Sequence, residues 1–194
     1  MQITSIIIDR VERKSLKAVV SITINDCLII DQIKIFTVKD DLQIGLPNKR
    51  SDDGDFSNFI EIINPHFYKL FERKILADYY CTPYGLKKQF SFPPSINTMR
   101  HLSISAVNIN EIVNDNLILT VDFANSLRVF NVELLSRKEG MFLRFPAHWY
   151  KKGTKVCMPT IVCPVDAEIR QMYIDTIMAS SEIQNYVFKL KKGN

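Results

Sequence analysis

Lys49 and Arg50 stand side by side just after Pro47 and Asn48, and Ser51-Asp52-Asp53-Gly54-Asp55 follows them. Two adjacent cations held at a bend offer one kind of chemistry, a grip on phosphate. Lys and Arg release condensed counterions from a polyanion, and Arg can hold phosphate or a guanine edge with two parallel bonds. The aspartates partly cancel that field, or they cap the turn by accepting from nearby amides. Lys69, Arg73 and Lys74 are spaced to share one outer helical face, with Lys69 and Arg73 at i and i+4. Lys151, Lys152 and Lys155 form a later cluster, and Trp149 and Tyr150 beside them carry rings on which bases stack. On residue pattern alone the plainer readings are a solvated loop for Lys49-Arg50, a polar helix face for the trio and packing for the aromatics. Lys189, Lys191 and Lys192 read as a solvated end.

Other chemistries find little footing. The sequence has no Gly-rich phosphate loop, no H-E-x-x-H and no G-x-S-x-G. Cys163 and His148 suggest a nucleophile and base, but nothing supplies the orienting third group. Cys27, Cys81, Cys157 and Cys163 make no C-x-x-C pair and read as free thiols, so neither metal nor cofactor is expected. The net charge of +4 permits an anionic partner without requiring one. Residues 1–97 carry 13 Lys/Arg against 12 Asp/Glu, and residues 98–194 carry 12 against 9. No apolar run approaches the ~20 residues of a membrane span, and the N-terminus lacks a signal-peptide pattern. The expectation is a soluble, cytoplasmic protein that does not engage membranes.

The elements that position these residues occur twice. Sliding the chain by 99 positions lays Pro47 on Pro146, Gly54 on Gly153, Pro65 on Pro164, Glu12 on Glu111 and Ile75 on Ile174. Ala18, Val20, Ile22 and Ile24 fall on Leu117, Leu119, Val121 and Phe123. In the first half, Ile3 to Val11 is β-rich, Leu16 to Ile24 alternates, and Asn25-Asp26 signals a turn before a strand from Cys27 to Val38. Leu42, Ile44 and Leu46 alternate until Pro47 ends the strand, and Phe56 to Ile63 reads as one more. Asn64-Pro65 then opens a helix with the stripe Phe67, Leu70, Phe71, Ile75 and Tyr79. In the second half Pro164 is the expected helix start, with the stripe Val165, Ile169, Met172, Tyr173 and Ile177.

Each half is therefore expected to be α+β, an antiparallel β-meander followed by one α-helix. The expected divisions are residues 1–80, a Pro/Gly-bearing linker over 81–99, and a divergent second unit over 100–194 with a basic tail. A unit of ~80 residues has a thin core, so the two are expected to pack as an intrachain pseudo-dimer.

The first half resembles the SpoVG septation-regulator family of bacteria. The resemblance rests on AVVSITINDCLIIDQIKIF (Ala18 to Phe36) and LPNKRSDDGDFSNFIEIINP (Leu46 to Pro65), which are similar to the family's A-x-x-S-I-T strand and its P-S-K-R…D-G-E-F segment. It implies a small α+β domain that dimerises, binds DNA or RNA, and regulates without catalysis. The family's basic pair falls on Lys49 and Arg50. At the corresponding place in the second unit stand His148 and Trp149, with Lys151, Lys152 and Lys155 as substitute charges. The alternative is an interaction module that keeps the fold without binding nucleic acid. The expected assembly is a monomer with an intrachain pseudo-dimer, or a further homodimer.

Overall fold

The computed structural model describes residues 1–11, 13–50, 54–93, 100–114, 116–148, 150–152, 155–157 and 159–186; the side chains of Arg50 and of residues 150–157 lie outside that description. Glu12, Gly153, Trp149 and the tail lysines, singled out above, also fall outside it.

The first half folds as a meander of β1 (Ile3–Arg10), β2 (Leu16–Ile24), β3 (Leu28–Val38) and β4 (Asp41–Gly45). A short hairpin of β5 (Asn48–Arg50) and β6 (Phe56–Asn58) follows, then β7 (Ile60–Ile62), α1 (Pro65–Tyr80) and β8 (Lys87–Ser91). The second half repeats the order with β9 (Ile104–Val113), β10 (Asn116–Phe123), β11 (Leu127–Arg137) and β12 (Gly140–Arg144). Its hairpin is β13 (Tyr150–Lys152) and β14 (Lys155–Cys157), followed by β15 (Val162–Pro164) and α2 (Ala167–Met178). The alternating apolar residues of β2 and β10 point inward, since successive side chains take opposite faces: Ala18, Val20, Ile22, Ile24, Leu117, Leu119, Val121 and Phe123 are all buried. The β2–β3 turn places Asn25 and Asp26 at positive φ, and Ala124 and Asn125 do the same between β10 and β11. Two consecutive left-handed residues make the turn whose twist matches antiparallel strands.

The short strands before the helices change partners. β7 leaves its own half and pairs with β11, Ile62 opposite Leu127 and Ile60 opposite Val129. β15 does the reciprocal thing on β3, Val162 opposite Ile30 and Pro164 opposite Leu28. Backbone bonds frame both junctions: the amides of Phe130 and Ile63 donate to Phe59 O and Ser126 O (3.0 and 2.9 Å), and those of Asp31 and Val165 donate to Ile161 O and Cys27 O (2.8 and 2.9 Å). Each half thus completes the other's sheet, the mutual relation of a twofold dimer, achieved here within one chain. Phe59, Ile60, Ile161 and Val162 are buried at the exchange. At ~1.5–3 kcal/mol for each large apolar side chain, the four contribute about 6–12 kcal/mol before ordering costs. That favours one joined core over two separate bodies, and the buried residues of both halves form one cluster.

The structure corrects several sequence expectations. The repeat does not hold one offset. It is 101 for the first strand (Ile6 opposite Ile22, Val107 opposite Val121) and 99 for β3 and β11. It becomes 102 at the helices, whose N-caps are Asn64 and Asp166. The later change arises in the hairpins. Asn48 faces Asn58 in the first, whereas Ala147 faces Thr160 in the second, which encloses three residues more. Pro164 therefore lies in β15, and α2 begins at Ala167. The buried helix residues Phe67, Phe71 and Ile75 correspond to Ile169, Tyr173 and Ile177. Leu70 and Val165, expected in the stripes, are 39% and 38% exposed. The single strand expected over Phe56–Ile63 is two strands on different sheets, because the chain crosses at Phe59. The expected linker contains β8, which pairs with β1 (Ile6 opposite Phe90).

One ion cluster lies at the exchange. Arg128 on β11 grips Asp122 with two bonds of 2.8 and 2.9 Å, and reaches Glu61 of β7 at 3.6 Å. Asp122 is buried, so removing the guanidinium strands a carboxylate away from water. Arg128→Ala is expected to lower stability by about 2 kcal/mol or more, read as a lower urea midpoint. Arg128→Lys should recover only part of the loss, because ammonium cannot make the paired grip.

Candidate nucleic-acid interface

Lys49 sits in the middle of β5, opposite Ser57 on β6. The hairpin is anchored at its root by the buried Pro47, whose carbonyl accepts from the Phe59 amide at 3.1 Å. That root holds the exposed Lys49 on paired strands, whereas the sequence suggested a loop. Arg50 is the last residue of β5.

Lys49 borders a cleft of about 800 Å³ formed mainly by the second half. Phe59 and Phe145, both buried, line it, and Asn131, Glu133, Arg144 and His148 join Lys49 as polar groups. His148 occupies in the second hairpin the place of Lys49 in the first, since Ala147–Thr160 pairs as Asn48–Asn58 does. The two equivalent positions therefore border one space. Asn131 has φ of 56°, where the β10–β11 register slips between Leu119 and Val121, and Gln32 has φ of 62° at the matching slip in β2–β3. Bulges of this kind re-aim side chains, and Asn tolerates the left-handed region. Arg144 ion-pairs with Glu133, so its charge is already matched. Its counterpart Gly45 lies where a Cβ would come within 2.8 Å of the Phe36 ring.

The other expected cations are dispersed. Lys69 and Arg73 are exposed on α1, but Lys74 turns away from them and sits 3.1 Å from the centre of the Phe92 ring. The expected common face of three is therefore two residues. Lys151 and Lys152 lie on β13 and Lys155 on β14, with Lys152 opposite Lys155. This hairpin keeps the register of the Ala147–Thr160 bridge, so the second unit carries its lysines farther along the same kind of arm.

Neither Cys27 nor Cys163 is tuned as a nucleophile. Burial pushes Cys27 up to about 11 and also raises Cys163, the opposite of the activation a reactive cysteine needs. No group of His, Cys, Asp and Glu among the described residues is arranged to hold a metal. No helix among them is long and apolar enough to cross a membrane.

The sequence model of the SpoVG family matches residues 1–81, from β1 through α1. A SpoVG protein of Anaeromyxobacter, named for septation, is 35% identical over 79 residues, which is 41% of this chain and 81% of that protein. The chain belongs to the SpoVG family. Its namesake in Treponema denticola is 32% identical over 84 residues, 43% of this chain and 90% of that protein. The one in Agathobacter rectalis is 36% identical over 80 residues, 41% and 92% of the two chains. No solved structure matches. The SpoVG match thus covers the half that carries Lys49 and Arg50.

Sequence reasoning singled out Lys49 and Arg50 but not the cleft, because Lys49 and Phe59 of the first half meet Asn131, Arg144 and Phe145 of the second only through the strand exchange. It also missed Arg10, Tyr80, Tyr84, Lys87 and Lys88, which lie around the C-terminal end of α1. The run of Tyr79, Tyr80 and Tyr84 followed by Lys87 and Lys88 was the available signal.

The thiol environments predict an order of labelling. In the native protein at pH 8 a maleimide should modify the exposed Cys81 readily and leave Cys27 untouched until denaturant is added. Peptide mapping after a short pulse measures this; native labelling of Cys27 would contradict the buried environment.

Proposed function

We propose that this chain is a non-enzymatic regulatory protein that binds DNA or RNA in the cytoplasm, with the β5–β6 hairpin as its principal contact. The observation that carries the reading is the exposed Lys49, next to Arg50 on the paired β5–β6 hairpin in the half that matches SpoVG. Lys151, Lys152 and Lys155 on the longer second arm support a second, different contact. Lys69 and Arg73 on α1 add exposed charge, and Lys74 contributes less because it rests on Phe92. The matching order of elements and the reciprocal strand exchange support descent of both halves from one unit, fused into a covalent equivalent of a dimer.

The alternative, an interaction module without nucleic-acid binding, draws on the mild net charge and on His148 in place of a second Lys49. Polarisation titrations of DNA and RNA at about 50 and 200 mM salt separate the two. Lys49→Ala/Arg50→Ala is expected to weaken binding severalfold and to reduce the salt slope by about one to two. Equal affinity of both proteins would remove the hairpin from the interface. Failure of the wild type to bind either probe at low salt would favour the interaction module.

A further inference from the structure

Arg10, at the end of β1, lies between two aromatic rings. Its guanidinium carbon is 4.4 Å from the centre of the Tyr79 ring and 5.5 Å from that of Tyr84. Nη1 donates to Thr82 O at 2.7 Å, while the buried Nε has no hydrogen-bond partner. Tyr79 meets Tyr80 edge to face, ring centres 5.5 Å apart. The four side chains therefore form one connected series, Tyr80–Tyr79–Arg10–Tyr84. Its inner ring is buried, while the outer rings are 70% (Tyr80) and 58% (Tyr84) exposed.

Exposing two such rings on a fixed support leaves apolar area in water, and the surrounding charge indicates what would cover it. The corner carries Arg10, Lys87 and Lys88, with Asp9 opposite Lys87 in the ladder and Asp78 near Lys88. Lys87 is exposed on β8. Lys88 beside it donates to Cys81 O at 3.1 Å, which ties the strand to the helix end. Exposed rings with cations around them suit a chain of stacked bases joined by phosphates. Tyr84, Lys87 and Lys88 lie beyond the residues matched by SpoVG.

We infer that this corner, with Tyr80 and Tyr84 as platforms and Arg10 and Lys87 as cations, is a stacking subsite for unpaired bases of a single-stranded nucleic acid. It rests on the nucleic-acid reading and deepens it. The hairpin grips phosphate whether or not the bases are paired, whereas the corner requires them unpaired, since duplex bases present no open face.

The test uses the full chain and three labelled probes of about twelve nucleotides: a mixed single strand, its duplex, and the same strand with abasic sites. Tyr80→Ala/Tyr84→Ala should weaken the single strand about thirtyfold or more and leave duplex and abasic strand within about twofold. Tyr80→Phe/Tyr84→Phe should bind as the wild type does. Lys49→Ala/Arg50→Ala should weaken all three probes with a smaller salt slope. Unchanged single-strand affinity in a folded Ala variant would overturn the subsite. So would wild-type protein that binds the abasic strand as tightly as the intact one, a comparison independent of any variant's folding. Wild-type protein that binds no probe at low salt would instead overturn the functional reading, and the subsite with it.

Discussion

Leu28–Ile30 and Leu127–Val129 each present a row of backbone amides and carbonyls that their own half leaves uncovered. The strand that satisfies each row comes from the other half, β15 on β3 and β7 on β11. Unpaired strand edges are costly when buried and hazardous when exposed. The exchange resolves both problems at once, and the rest of the architecture follows from it. It brings the hairpins of the two halves to one cleft, so that Lys49 and His148 line the same space. It also lets two thin units share one core.

The two halves spend this common frame differently. The first keeps a short hairpin with Lys49 and Arg50 and closes its outer sheet edge with β8. The second extends its hairpin, places lysines farther along it, and puts Arg144 where the first half has Gly45 packed on Phe36. Its Asp122 and Arg128 form an ion pair that reaches across the junction to Glu61 of the first half. With both halves in one chain, a residue of one half need not be matched in the other, as it would be in a homodimer.

Much of the frame is legible in the residues. The alternation over Leu16–Ile24, the Asn25-Asp26 turn and the Asn64 cap report local physics, and each forms where the pattern places it. Long-range pairing is not legible. Nothing in Phe59-Ile60-Glu61-Ile62 states that the chain changes sheets, because a strand's pattern reports which face is buried, not which neighbour it joins. The gapless repeat misplaced the start of α2 for a related reason: a hairpin can lengthen by three residues without disturbing the frame around it. Of the candidate site, Lys49 and Arg50 were visible as a charged pair. The cleft was not, since Lys49 and Phe59 meet the second half only once the strands are exchanged, nor was the Arg10–tyrosine series, which joins the first strand to the end of α1.

The reciprocal exchange is tested most directly by native-state hydrogen exchange at two amides, Asp31 and Phe130, which donate to Ile161 O and Phe59 O across the two junctions. Both should be strongly protected, and both should lose protection together, in step with the buried core of β2 and β10. Rapid exchange at either amide, or release of one junction while the other stays closed, would contradict a fold held together by mutual strand donation.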